Sequence, residues 1–165
     1  MHSEKLRYEK LDDRTLDEFH LLVTDEHVRR YLMDGQVLPA SWSRDRIRDS
    51  EELFARRGVG LWLAHDRATE DLVGFCGFLD VPASHPEPQL VYALFERWSG
   101  NGYATEMARA AIAEARTHSG FEEIFATVDE VNAASCRVLE KLGFVRVATL
   151  SGAFGNVFHC RLRAS

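Results

Sequence analysis

The chain has 165 residues, 45% apolar and 28% charged, the ordinary range of a protein that buries a proper core. Its formal net charge of −6 argues against nucleic-acid binding by phosphate neutralisation and mildly favours cationic partners such as amines or basic peptides. No stretch approaches the roughly 18 consecutive apolar residues of a membrane span, and MHSEKLRYEK has no apolar segment behind its charges. No membrane partner, no nucleic-acid partner and a cytoplasmic location are therefore expected. Cys76, Cys136 and Cys160 show no CxxC pairing, and the seven histidines form no HxH or HExxH spacing, so free thiols and no metal site are expected.

KLRYEKL (5–11) alternates as a first strand. From Asp12 to Leu32 the stripe Leu16, Phe19, Leu22 and Val23 predicts a helix. Residues 33–43, with Gly35 and Pro39, form a loop, and a charged amphipathic helix follows over 44–57 through Ile47, Leu53 and Phe54. GVGLWLAH (58–65) and LVGFCGFLDV (72–81) are apolar runs joined by DRATED, too short for a crossover helix, and so predict a β-hairpin. A proline-punctuated loop (82–88) leads to a buried strand, QLVYALFE (89–96). Gly102 to Ser119 is an alanine-rich helix able to lie close to a sheet, and EEIFATVDE (122–130) is the next strand. Asn132 to Leu142 is a short helix; FVRVATL and NVFHCRLR, separated by a loop at 151–155, complete the sheet. One α/β (α+β) domain over 1–165 is expected: a mixed, mostly antiparallel central sheet of about seven strands flanked by four helices.

RWSGNGYAT (97–105) carries the chemistry. Two glycines at a strand-to-helix junction let the backbone turn tightly and present amide N–H groups at a helix N-terminus, which suits an anion. A dinucleotide fingerprint, GxGxxG, fails because Thr105 stands at the third glycine, and a GxxxxGK[ST] phosphate loop is absent.

RWSGNG resembles the (Q/R)-x-x-G-x-(G/A) signature of the Gcn-related N-acetyltransferases, the GNAT superfamily, with Arg97, Gly100 and Gly102 at the defined positions. VNAASCRVLEKLGF (131–144) resembles the family's N-x-x-S-x-x-V-L-E-K-L-G-F block and points to the RimJ/RimL-like branch, with its ribosomal-protein N-terminal acetyltransferases and relatives acting on small amines. The resemblance implies a GNAT fold and transfer of an acetyl group from acetyl-CoA, a co-substrate, to a primary amine by direct attack. The acceptor is a protein N-terminal α-amine or a small-molecule amine, no metal takes part, and the chain acts as a monomer or homodimer.

Residue by residue, the resemblance implies that backbone amides of Arg97, Trp98, Ser99, Gly100, Asn101, Gly102, Tyr103, Ala104 and Thr105 hold the coenzyme A pyrophosphate. The preceding strand, Leu94 and Phe95 included, would splay from its neighbour, pair with the pantetheine arm and offer an N–H to the acetyl carbonyl. Asn132 would contact the pantetheine, and it is equally a favoured N-cap. Ser135 would give a proton to the departing thiolate. Cys136 beside it is not read as an acetyl carrier, because direct attack is the family's usual route.

Two departures stand out. Many family members carry a tyrosine seven positions after the asparagine, where this chain has Leu139. Where the branch often has a strand-initial glutamate, this chain has Gln89, which accepts no proton at neutral pH. Glu87, Asp80, His85 and a water chain are left as candidates for the base. An α-amine with pKa near 7.7–8.0 needs about 1 kcal/mol to lose its proton at pH 7, against about 4.6 for lysine, which favours a low-pKa amine. Trp42 and Phe154 are candidate walls of the acceptor pocket. Gln89 and Leu139 also leave open a non-catalytic acyl-CoA-binding module, and the helix terminus alone leaves open a mononucleotide-binding protein.

Overall fold

β-branched and aromatic runs alternate with turn residues along the chain, and the strands they form share one sheet. In the computed structural model, which describes residues 1–163, the strands are β1 (Leu6–Lys10), β2 (Leu61–Asp66), β3 (Leu72–Leu79), β4 (Gln89–Leu94), β5 (Glu123–Asp129), β6 (Val145–Gly152) and β7 (Gly155–Arg163). Their order in the sheet is β1-β2-β3-β4-β5-β7-β6. Every neighbouring pair is antiparallel except β4 and β5, which are parallel. This is the mixed, mostly antiparallel seven-stranded sheet expected from the sequence.

Five helices accompany it, one more than expected: α1 (Leu16–Thr24), α2 (Glu26–Leu32), α3 (Ala40–Arg57), α4 (Tyr103–His118) and α5 (Ala133–Lys141). The extra one arises because the predicted 12–32 helix is broken at Asp25. That residue leaves the helical region (φ −58°, ψ 138°), and its carboxylate accepts from the N–H groups of His27 and Val28. A side chain that caps a new helix ends the old one. α3 starts four residues before the predicted 44, with Pro39 at its N-cap. The predicted loop at 151–155 is a tight hairpin, Gly152 facing Gly155 across it.

Two apolar clusters cover the two faces. On one, α1–α3 pack over Leu61, Leu63, Phe75, Val91 and Ala93. On the other, the small residues Ala108, Ala111 and Ala115 of α4 lie against Val73, Leu90, Ile124 and Ala126. No helix among the described residues is long and apolar enough to cross a membrane.

β3 and β4 approach so closely at Gly74 that a Cβ there would run into the backbone of Ala93 and Leu94. Backbone cannot step aside as a side chain can. Gly74→Ala is expected to destabilise the fold by about 1–3 kcal/mol, seen as a lower urea midpoint with an unchanged m value. An unchanged midpoint would show a looser β3–β4 contact.

Candidate active site

β4 and β5 are joined at one register position, Gln89 opposite Phe125. Beyond it the strands part. β4 stays paired with β3 along its other edge, from Leu79–Gln89 to Leu94–Gly74. From Leu90 onward, its β5-facing backbone edge is therefore left to a gap. A cleft of about 850 Å³ occupies this gap, walled by β4, β5, the start of α4 and α5, and by α2 and α3.

At the end of β4 a turn of 3-10 helix (Glu96–Trp98) leads to Gly100 (φ +79°) and Gly102 (φ +82°), and α4 begins at Tyr103. A Cβ on either glycine would meet nothing within 4 Å. The two residues thus combine a left-handed backbone with clear space over the helix terminus. No side chain caps the first turn of α4, so its N–H donors remain open. Neighbours brace the loop: Asn101 donates to the Ser99 carbonyl (3.1 Å), the Trp98 and Tyr103 rings meet edge to face (5.2 Å), and the Tyr103 hydroxyl donates to Asp66 (2.7 Å).

Of the residues picked out from sequence, Gln89, Leu94, Trp98, Ser99, Gly100, Gly102, Tyr103, Ala104, Thr105, Asn132 and Ser135 line the cleft. Four do not. Phe95 is buried among the α1–α3 cluster, Arg97 lies over the Phe95 ring (4.7 Å), and Asn101 turns to Ser99. Glu87 is the fourth: Arg57 holds its carboxylate at 2.7 Å. This ion pair engages the Glu87 carboxylate away from the residues that line the cleft. The other two nearby groups are engaged as well, Asp80 by Arg56 (2.6 Å) and His85 by the Glu87 N–H (3.0 Å) and the Phe125 ring (3.7 Å between centroids).

Asn132 caps α5, its side-chain oxygen accepting from the Ser135 N–H at 3.1 Å. The Ser135 side chain meets a group that the motif does not contain. The Tyr92 hydroxyl lies 2.7 Å from Ser135 Oγ and also donates toward the Ser135 carbonyl at 3.3 Å. Burial pushes the phenol up to about 12. The phenol and the serine hydroxyl share this short bond, either able to donate, so Tyr92 fixes the position of Ser135 Oγ on the cleft wall. Leu139 is 2% exposed and belongs to the core. Burial, with Glu140 adding to it, raises the Cys136 thiol, which disfavours a thiolate nucleophile there.

Sequence reasoning missed Asp129, at the end of β5. Its half-buried carboxylate lines the cleft and has no hydrogen-bond or ion-pair partner among the described residues. Burial and then the charge of Asp34 raise its pKa above the ordinary carboxylate value. Three N–H donors on the cleft-lining residues Gln89, Trp98 and Arg46 are buried without an acceptor: Nε2, Nε1 and Nε respectively. Each such group costs about 1–3 kcal/mol when left unpaired. Trp42 is a cleft wall, whereas Phe154 is 68% exposed and belongs to a separate pocket of about 280 Å³. Among the described residues, no group of three His, Cys, Asp or Glu side chains is placed to share a metal ion.

A family model described as "Acetyltransferase (GNAT) domain" matches residues 5–145. The uncharacterized protein YkkB of Bacillus subtilis (strain 168) is 31% identical over 146 residues, 86% of this chain and 82% of YkkB. A GnaT-family acetyltransferase from Bordetella pertussis superposes with a TM-score of 0.84 at 19% identity, over 98% of this chain and 97% of that one. The ribosomal alpha-N-protein acetyltransferase RimL, solved in complex with coenzyme A, gives a TM-score of 0.81 at 17% identity, over 98% and 95% of the two chains.

Proposed function

The chain belongs to the GNAT acetyltransferase family, and from that premise we propose that it moves an acetyl group from acetyl-CoA to a primary amine by direct attack. The parting of β4 from β5 beside an open helix terminus carries this reading. Coenzyme A fits the residues present. The clear space over Gly100 and Gly102 and the uncapped first turn of α4 suit its pyrophosphate, and the free edge of β4 suits its pantetheine arm. Bound there, acetyl-CoA supplies a thioester-activated acetyl group. The 131–144 block supports a place in the RimJ/RimL-like branch. The shared sheet and its two core clusters support one domain over 1–165. In this reading it acts in the cytoplasm on an amine carried by a small molecule or a peptide.

The chain's own groups divide the work. Backbone N–H groups of Gly100 and of Gly102 to Thr105 bind phosphate oxygens, those of Trp98 and Ser99 being given to the Phe95 and Glu96 carbonyls, and Arg137 and Lys141 on α5 add positive charge to the same cleft. Backbone N–H groups of β4 beyond Gln89 point toward the acyl oxygen and stabilise the negative charge it gains. Ser135 gives its proton to the departing sulfur, held for the task by Tyr92. Asp129 takes the proton that the attacking nitrogen gives up, a role its raised pKa suits. Gln89 and Glu87 have no proton-transfer role.

Thiol release from acetyl-CoA tests both groups. Ser135→Ala is expected to lower kcat by about a hundredfold with little change in KM for acetyl-CoA; an unchanged kcat would remove Ser135 from the reaction. For Asp129 the sign follows from its role as a base. The carboxylate must be ionised, so kcat/KM falls as pH drops through its pKa, which burial and then Asp34 raise from the ordinary aspartate value. Asp129→Asn is expected to remove this acid limb and to lower kcat/KM by about a hundredfold. An intact limb in the variant would assign the base elsewhere.

A further inference from the structure

The acceptor half of the cleft can be separated from the donor half by strand alternation. On β4, Val91 and Ala93 pack with the α1–α3 cluster, whereas Leu90, Tyr92 and Leu94 pack on the α4 side. Gln89 therefore faces α3. Its pairing with Phe125 puts Phe125, Thr127 and Asp129 on that same face, since Ile124, Ala126 and Val128 belong to the α4 side. Opposite them, α3 contributes Trp42 and Arg46 to the cleft wall.

This half holds a specific set of unmet polar groups. Gln89 is 3% exposed, and its Nε2 has no acceptor. Arg46 sends one terminal nitrogen to Asp49 (2.7 Å) and lies over the Trp42 ring (5.4 Å), while its Nε is buried and has no acceptor. Asp129 is the complementary group, a carboxylate with no partner among the described residues. The chamber thus offers two hydrogen-bond donors, one of them on the guanidinium that Asp49 pairs at another nitrogen, and the carboxylate of Asp129, with Asp34 adding negative charge beside it.

We propose that the amine acceptor is a zwitterion, a free amino acid or close analogue. Its carboxylate is bound by Arg46 and Gln89, and its amino group by Asp129. This rests on the acetyltransferase reading above and specifies its substrate. A carboxylate has two oxygens able to accept from a guanidinium edge and an amide N–H, and charge assistance strengthens both bonds. A polyamine would satisfy Asp129 and leave both donors unmet. A peptide N-terminus replaces the carboxylate by a neutral amide, a weaker acceptor for the unpartnered Arg46 Nε and Gln89 Nε2.

The test is thiol release from acetyl-CoA with matched acceptors: each of the common amino acids, its carboxamide and its decarboxylated amine, beside spermidine and a basic N-terminal peptide. At least one amino acid is expected to exceed both its counterparts in kcat/KM by roughly tenfold or more. Arg46→Leu, at a partly exposed position, should bring that ratio close to one. Gln89→Glu should turn it toward the carboxylate-free amine. Turnover of carboxamides, polyamines or the peptide at rates equal to or above the amino acids would overturn the zwitterion assignment and leave the transferase reading standing. A preference for amino acids that survives Arg46→Leu would overturn the assigned contact, and with it the proposal, whether or not Gln89→Glu folds. Absence of thiol release with every amine, in protein that binds coenzyme A, would overturn the transferase reading and this proposal together.

Discussion

One missing set of hydrogen bonds organises the molecule. After the Gln89–Phe125 position, β4 and β5 separate, and one edge of β4 runs inside the protein with no strand to answer it. Interior backbone groups are obligatory hydrogen-bonding partners, so an unpaired stretch of this kind is a place for a ligand that carries its own amides. Pantetheine has two. The other elements depend on this opening: the glycine turn delivers the uncapped α4 terminus to one side of it, and α5 delivers Ser135 to the other.

The separation also sorts the chemistry by face. Alternation on β4 sends Tyr92 toward α5, where it meets Ser135, and sends Gln89 toward α3. The proposed proton donor for the leaving group and the proposed recognition surface for the acceptor thereby stand on opposite sides of one strand. Asp129 lies one short turn before Asn132, its carbonyl accepting the Asn132 N–H at 2.9 Å. The Asp129 carboxylate and the capped helix carrying Ser135 are consequently fixed by the same few residues.

What the sequence makes legible is local. The apolar run QLVYAL, the glycines at 100 and 102, and the small residues of α4 each act within a few positions, and each has its expected element. The break at Asp25 was available in the same way, as an aspartate at a helix boundary, and was hidden by an apolar stripe that runs across it. What sequence could not supply depends on residues far apart in the chain. Tyr92 and Ser135 are 43 residues apart, and Arg57 reaches Glu87 across 30. Glu87 looks free in the sequence only because its partner is on another helix. The Asp129 carboxylate and the Arg46 Nε are ordinary polar groups until the fold leaves them without partners on one cleft.

The central claim is that this opening, with its glycine-turned helix terminus, is built for coenzyme A rather than for a nucleotide. Calorimetric titration of the purified chain with coenzyme A, ATP and NAD measures that directly. The account predicts one coenzyme A bound per chain, at least tenfold more tightly than ATP or NAD. ATP or NAD binding as tightly as coenzyme A, or more tightly, would contradict it.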